Sequence, residues 1–173
     1  LYNITALYLD KGDYLKALQE FEDAIKLCES FKSKRVWYFY SMRGVAYYYM
    51  SDYANAKKYL KYSIQNVEFQ ERKGAHFELF EQTCYYLSKK QLNESVGNMD
   101  DYMKLLEDTD LKDNIQINFV IYKLLGNDLY LHTAYKGIVN AKKIIADDLK
   151  VKFLSYPMIK SIVELYNNIS NES

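Results

Sequence analysis

LYNITALYLDKGDYLKALQEFEDAIKLCES, residues 1–30, and YSMRGVAYYYMSDYANAKKYLKYSI, residues 40–64, decide the fold. In the first stretch Gly12-Asp13-Tyr14 is followed at helical spacing by Ala17, Phe21 and Ala24. In the second, Asp52-Tyr53 is followed by Ala56, Leu60 and Ser63, each 39 residues after its counterpart. A further step of 39 gives Leu92, Ser95, Met99 and Tyr102, and another gives Leu131, Ala134, Ile138 and Ala141. A fixed period of this length marks a repeat architecture, in which one supersecondary unit cannot bury its apolar face alone and stacks on its neighbours. A small residue at a helix crossing lets two backbones approach, and a large one four positions later fills the adjoining space. Ala17, Ala56 and Ala134 are therefore expected contact points, beside Phe21, Leu60, Met99 and Ile138.

Composition agrees with helices. One Pro and six Gly in 173 residues leave few breakers, and 49% hydrophobic residues exclude a disordered chain. The periodicity predicts paired helices over about 1–11 and 14–30, 35–50 and 53–68, 72–89 and 92–107, and 114–126 and 129–147. Gly12, Ser51-Asp52, Gln91–Asn93 and Asn127-Asp128 mark the turns inside the pairs. The expected organisation is one all-α repeat domain over 1–173, with repeats at about 1–34, 35–71, 72–111 and 112–150 and a terminal helix within 155–169. Pro157 suits the first turn of that last helix.

These residues resemble the tetratricopeptide repeat family over nearly the whole chain. Gly44 matches the family's small crossing residue, Thr5 and Thr83 are tolerable there, and Tyr122 departs from it. Tyr8, Tyr47 and Tyr86 match the aromatic near the end of each first helix, where the fourth unit has Leu125. The family's familiar repeat is shorter, so this is an extended variant. The resemblance implies a right-handed superhelical solenoid of about four hairpins plus a C-terminal helix, with a concave inner face that binds a peptide or protein segment.

Catalytic and metal chemistry find little support. Cys28, Cys84, His76 and His132 have no close paired spacing, so no metal site and no cofactor are expected. No nucleophile–His pattern, phosphate loop or dinucleotide fingerprint is present, and Asp100-Asp101 and Asp147-Asp148 read as solvated carboxylates. The chain is read as non-enzymatic. Lys+Arg 23 against Asp+Glu 23 gives zero net charge, which argues against direct nucleic-acid binding; Lys57, Lys58 and Lys61 read as lysines that keep a surface wet. No apolar run reaches the length of a membrane span, and two separated cysteines suit a reduced, cytoplasmic protein. Leu1 reads as mid-helix, which suggests a piece of a longer protein.

Tyr is in excess, with 19 residues. In VWYFYSMRGVAYYYM, residues 36–50, Trp37, Tyr40 and Tyr47 can satisfy a core. Tyr38, Ser41, Tyr48 and Tyr49 fall on the sector that lines the inner wall in the family. Tyr2 takes that sector in the first unit, Phe77 and Phe80 in the third, and Phe119, Lys123 and Asn127 in the fourth. Tyr and Phe offer large contact area with few rotors, so these ten are the candidate peptide- or partner-binding residues. Tyr2 and Ala6 stand where relatives that clamp an acidic chaperone tail carry Lys and Asn, so that use is not expected. In the terminal helix Met158, Ile162, Leu165 and Ile169 can cover the fourth unit, leaving Ile159, Val163 and Tyr166 as a second apolar row for a homodimer contact. The repeat length and the Lys-, Asn- and Tyr-rich character resemble the peptide-sensing regulators of Gram-positive bacteria, which implies a regulatory module; the alternative is a constitutive adaptor.

Overall fold

The computed structural model describes residues 2–33, 35–65, 74–112 and 114–171, with side chains from Leu7 to Ile169. Among these residues the chain is all-α. Ten helices occur: α1 Tyr2–Lys11, α2 Tyr14–Ser30, α3 Val36–Tyr49, α4 Tyr53–Gln65, α5 Ala75–Gln91, α6 Asp100–Glu107, α7 Ile115–Leu125, α8 Asp128–Ile144, α9 Asp147–Leu154 and α10 Pro157–Asn171. They divide into two compact units, residues 1–9 with 13–109 and residues 10–12 with 110–173.

In the first two hairpins the repeat is written into the backbone of the turns. Gly12 (φ 81°) and Ser51 (φ 62°) occupy equivalent left-handed positions. Asp13 N donates to Tyr8 O at 2.9 Å, and Asp52 N donates to Tyr47 O at 3.0 Å. These bonds satisfy carbonyls that the ends of α1 and α3 would otherwise leave open. Behind each turn Ala17 and Ala56 are fully buried, followed by fully buried Phe21 and Leu60. The α3–α4 crossing is close because Gly44 has no side chain: a Cβ there would sit 2.7 Å from Leu60 Cγ and 3.0 Å from Leu60 N. Helices α2 to α6 pack in chain order, each on the next, and α3 also touches α5.

The third hairpin departs from the expected register. A helix was expected over 92–107, but α6 begins only at Asp100. The left-handed residue of this turn is Asn93 (φ 56°), and Glu94 N donates to Lys89 O at 2.9 Å, so the same closure comes three residues late. A second left-handed residue, Gly97 (φ 76°), then keeps 92–99 from being helical, and Asn98 Oδ1 accepts the Asp100 amide at 2.7 Å. Ser95 and Met99 therefore do not sit within a helix. Tyr102 alone of that set is fully buried, with its hydroxyl 2.9 Å from Thr83 Oγ1 on α5.

The second unit packs α7 on α8, and α8 and α9 on α10. Asn114 caps α7 by accepting the Ile117 amide at 3.0 Å, and Gly126 (φ 69°) ends it. Phe119, Leu131, Ala134, Ile138, Ile159 and Ile162 form the buried core. The helix expected over 129–147 stops at Ile144, where Ile145 turns extended (ψ 137°) and α9 starts anew at Asp147. Asp147-Asp148, read in the sequence only as solvated acids, occupy the first turn of α9, where carboxylates complement the helix dipole.

Candidate peptide-binding surface

The sector expected to line an inner wall is brought together in the first unit, but it is largely covered. Tyr38, Ser41, Tyr48 and Phe80 are buried, with Tyr38 and Tyr48 each 8% exposed. Tyr38 meets Phe77 at 5.5 Å between ring centroids, and Trp37 meets Phe77 edge-on at 5.1 Å. Tyr48 packs against Tyr49 and Tyr53, and burial pushes its hydroxyl pKa up. Tyr49 and Phe77 are half-buried, and Tyr49 stacks on Tyr14 at 5.6 Å. These rings hold α3 to its neighbours rather than forming an open wall, because α3 is packed by α2, α4 and α5 together. The side chain of Tyr2 lies outside the described residues.

In the second unit Phe119 is core, Lys123 is exposed with its ammonium 5.0 Å from the centre of the Phe119 ring, and Asn127 caps α8 by accepting the Leu129 amide at 3.0 Å. The row expected to face water on α10 is turned inward. Ile159 belongs to the buried core, and Val163 and Tyr166 pack on it, with Tyr166 stacked on Tyr135 at 3.8 Å. Both apolar rows of α10 thus serve one core, to which α8 and α9 also contribute.

The open aromatic surface lies elsewhere, on the seam of α3 and α4. A cavity of about 460 Å³ is lined by Tyr40, Lys58, Tyr59, Lys61, Tyr62 and Gln65. Helical spacing explains it: 58, 59, 61, 62 and 65 share one side of α4, and Tyr40 comes from α3 opposite. Tyr59 lies parallel to Tyr47 (5.5 Å, 7°) and to Tyr40 (6.5 Å, 19°), and Tyr40 tilts against Tyr62 at 4.8 Å. The Arg43 guanidinium lies 4.5 Å from the Tyr59 ring centre and the Lys58 ammonium 5.3 Å. Arg43 also pairs with Glu22 of α2 at 3.6 Å. Tyr40 Oη donates to Glu29 Oε1 at 2.7 Å, and burial together with that carboxylate pushes its pKa up to about 12. Tyr62 is 50% exposed, a large apolar surface left in water. Of the three lysines grouped in the sequence, Lys57 is committed to Glu94, whereas Lys58 and Lys61 stand at the cavity with no carboxylate in ion-pair range among the described residues.

Sequence reasoning placed Tyr40 in the core and read Lys58 and Lys61 only as wet surface. The signal that finds the cavity is the interleaving of Lys58, Tyr59, Lys61 and Tyr62 within one turn of α4. Among the described residues no three His, Cys, Asp or Glu side chains gather as a metal site would need. Cys28 and Cys84 are free thiols, and no described helix is long and apolar enough to cross a membrane. No family model, curated protein or solved structure matches this chain.

Proposed function

We propose that the chain is a non-catalytic helical-repeat binding module of tetratricopeptide type, which holds a peptide or protein segment on the α3–α4 seam. The observation that carries this reading is the exposed tyrosine cavity, where three rings and two lysines with no carboxylate in ion-pair range among the described residues meet at one concave place. Concave sites with aromatic walls and a few polar groups are the usual form of a binding pocket. Between the two uses of such a module, the constitutive adaptor is the better supported. A sensor of a short signalling peptide needs an open inner wall, and Tyr38, Tyr48 and Phe80 are already spent on packing.

The test is selection of binders by the intact chain from a random-octapeptide display library, followed by titration of the selected peptides. Tyr62→Ala is expected to weaken them at least about fivefold, because a half-exposed aromatic can act as a hot spot without supporting the core. Selected peptides that bind the variant as well as the native chain would place recognition away from this cavity.

A further inference from the structure

The kind of segment can be read from the cavity, on the premise that the cavity is where a partner binds. Its walls are rings and its rim is cationic. Lys58 and Lys61 are three residues apart on α4, which sets their side chains side by side on one face. Of the six described lining residues, none is acidic. Two described carboxylates reach groups around the cavity, and both are engaged: Glu29 accepts the Tyr40 hydroxyl, and Glu22 pairs with Lys26 and Arg43. Glu94, which neutralises Lys57, does so away from the cavity lining.

We infer that the α3–α4 cavity takes an acidic peptide segment of a partner protein, with one large apolar side chain against Tyr40, Tyr59 and Tyr62 and flanking carboxylates on Lys58 and Lys61. Charge complementarity selects the acid, and the volume of about 460 Å³ suits one large side chain with its neighbours. A single-stranded nucleic acid is the other partner that tyrosines and lysines can suggest. It needs open ring faces for bases to stack on. Here the Tyr59 ring is already contacted by Tyr47, Tyr40, Arg43 and Lys58, and Tyr40 and Tyr62 lean on each other. The Tyr59 ring is therefore already occupied, and the half-exposed Tyr62 beside two ammonium groups suits a carboxylate-bearing peptide with one apolar side chain.

The experiment uses the intact chain and the random-octapeptide display library, with a fluorescein-labelled oligo-dT as a second probe. Selected octapeptides are expected to be enriched in Asp and Glu around one aromatic or Leu position. Replacing their acids by Asn and Gln is expected to weaken binding by about five- to tenfold. The Lys58→Glu, Lys61→Glu double variant is expected to lose the acidic enrichment while keeping the native melting temperature, since both side chains are exposed. Octapeptides that depend on Tyr62 but show no acidic preference would overturn the inference and leave the binding module standing. Octapeptides indifferent to Tyr62→Ala would overturn both. Oligo-dT bound more tightly than any selected peptide, and weakened by the double variant, would replace the acidic peptide with a nucleic acid.

Discussion

The α3–α4 crossing gives the sharpest test of the fold, through Gly44→Ala. Two effects oppose each other. Alanine inside an exposed helix is worth about 1 kcal/mol over glycine. At residue 44 the added methyl would meet Leu60 Cγ at 2.7 Å, Leu60 N at 3.0 Å and Leu60 Cδ2 at 3.1 Å. Ordinary carbon–carbon contact begins near ~3.5 Å, so Leu60 must retreat by almost 1 Å. Leu60 is fully buried, and one of the clashing atoms is backbone, so a rotamer change cannot relieve it. Overpacking of this kind costs about 1–3 kcal/mol. The two terms leave a net loss of about 0–2 kcal/mol, at about 2–4 °C of Tm for each kcal/mol at this chain length.

Trp37, the only tryptophan, lies on α3 itself, so its fluorescence reports unfolding of this unit during a urea titration. A cycle with Leu60→Ala isolates the contact. Leu60→Ala alone should cost about 2–5 kcal/mol, and in its background Gly44→Ala should become less harmful, because two of the three clashing atoms are gone. A Gly44→Ala protein more stable than the native one would mean that the propensity gain is unopposed. The helices would then not cross at Gly44, and the pairing of Gly44 with Ala56 and Leu60 would be wrong.

Two further outcomes follow from the packing and from Tyr40. The Ile159→Glu, Val163→Glu variant should unfold more readily than the native chain with no change in its association state by sedimentation, because Ile159 is core and Val163 packs on it; native stability with altered association would restore the dimer reading of α10. Tyr40 has a folded pKa of about 12 against an ordinary 10.0, so the fold favours its neutral form. That contribution is complete below pH 10 and fades as pH rises through 10 towards 12. The ultraviolet titration difference between native chain and Tyr40→Phe should therefore show one phenol ionising near 12; a missing phenol that titrates at 10 would mean that neither the burial of Tyr40 nor its Glu29 contact is kept in solution.

Much of the first two hairpins was legible because its cause is local. Gly12 and Ser51, Ala17 and Ala56, and Phe21 and Leu60 keep one spacing, and each pair holds equivalent backbone or core positions. The third turn was misread because a shift of three residues is nearly one helical turn. Leu92, Ser95, Met99 and Tyr102 still showed a helical spacing, although Asn93 and Gly97 had already taken the chain out of the helix. The break before α9 left only Asp147-Asp148 as a clue, and paired acids suit an exposed face as well as a helix start.

The residues expected to line an inner wall are covered for a reason that lies in α3. Its apolar residues are not confined to one stripe, since Tyr38, Phe39, Met42, Val45, Ala46 and Tyr48 are all buried under neighbours on several sides. On such a helix hydrophobic periodicity cannot single out the face left in water. The discriminating feature is the row Tyr40, Arg43 and Tyr47, which lies along one side at helical spacing and is half-buried throughout. A guanidinium between two tyrosines on one row argues that the row lies at the edge of the core, because an arginine is rarely buried without a partner and here its carboxylate, Glu22, is itself on the surface. That row faces Tyr59 and Tyr62 of α4, and the cavity follows from it: tyrosines shared between core and water, held by a cation, beside two lysines with no described acid of their own.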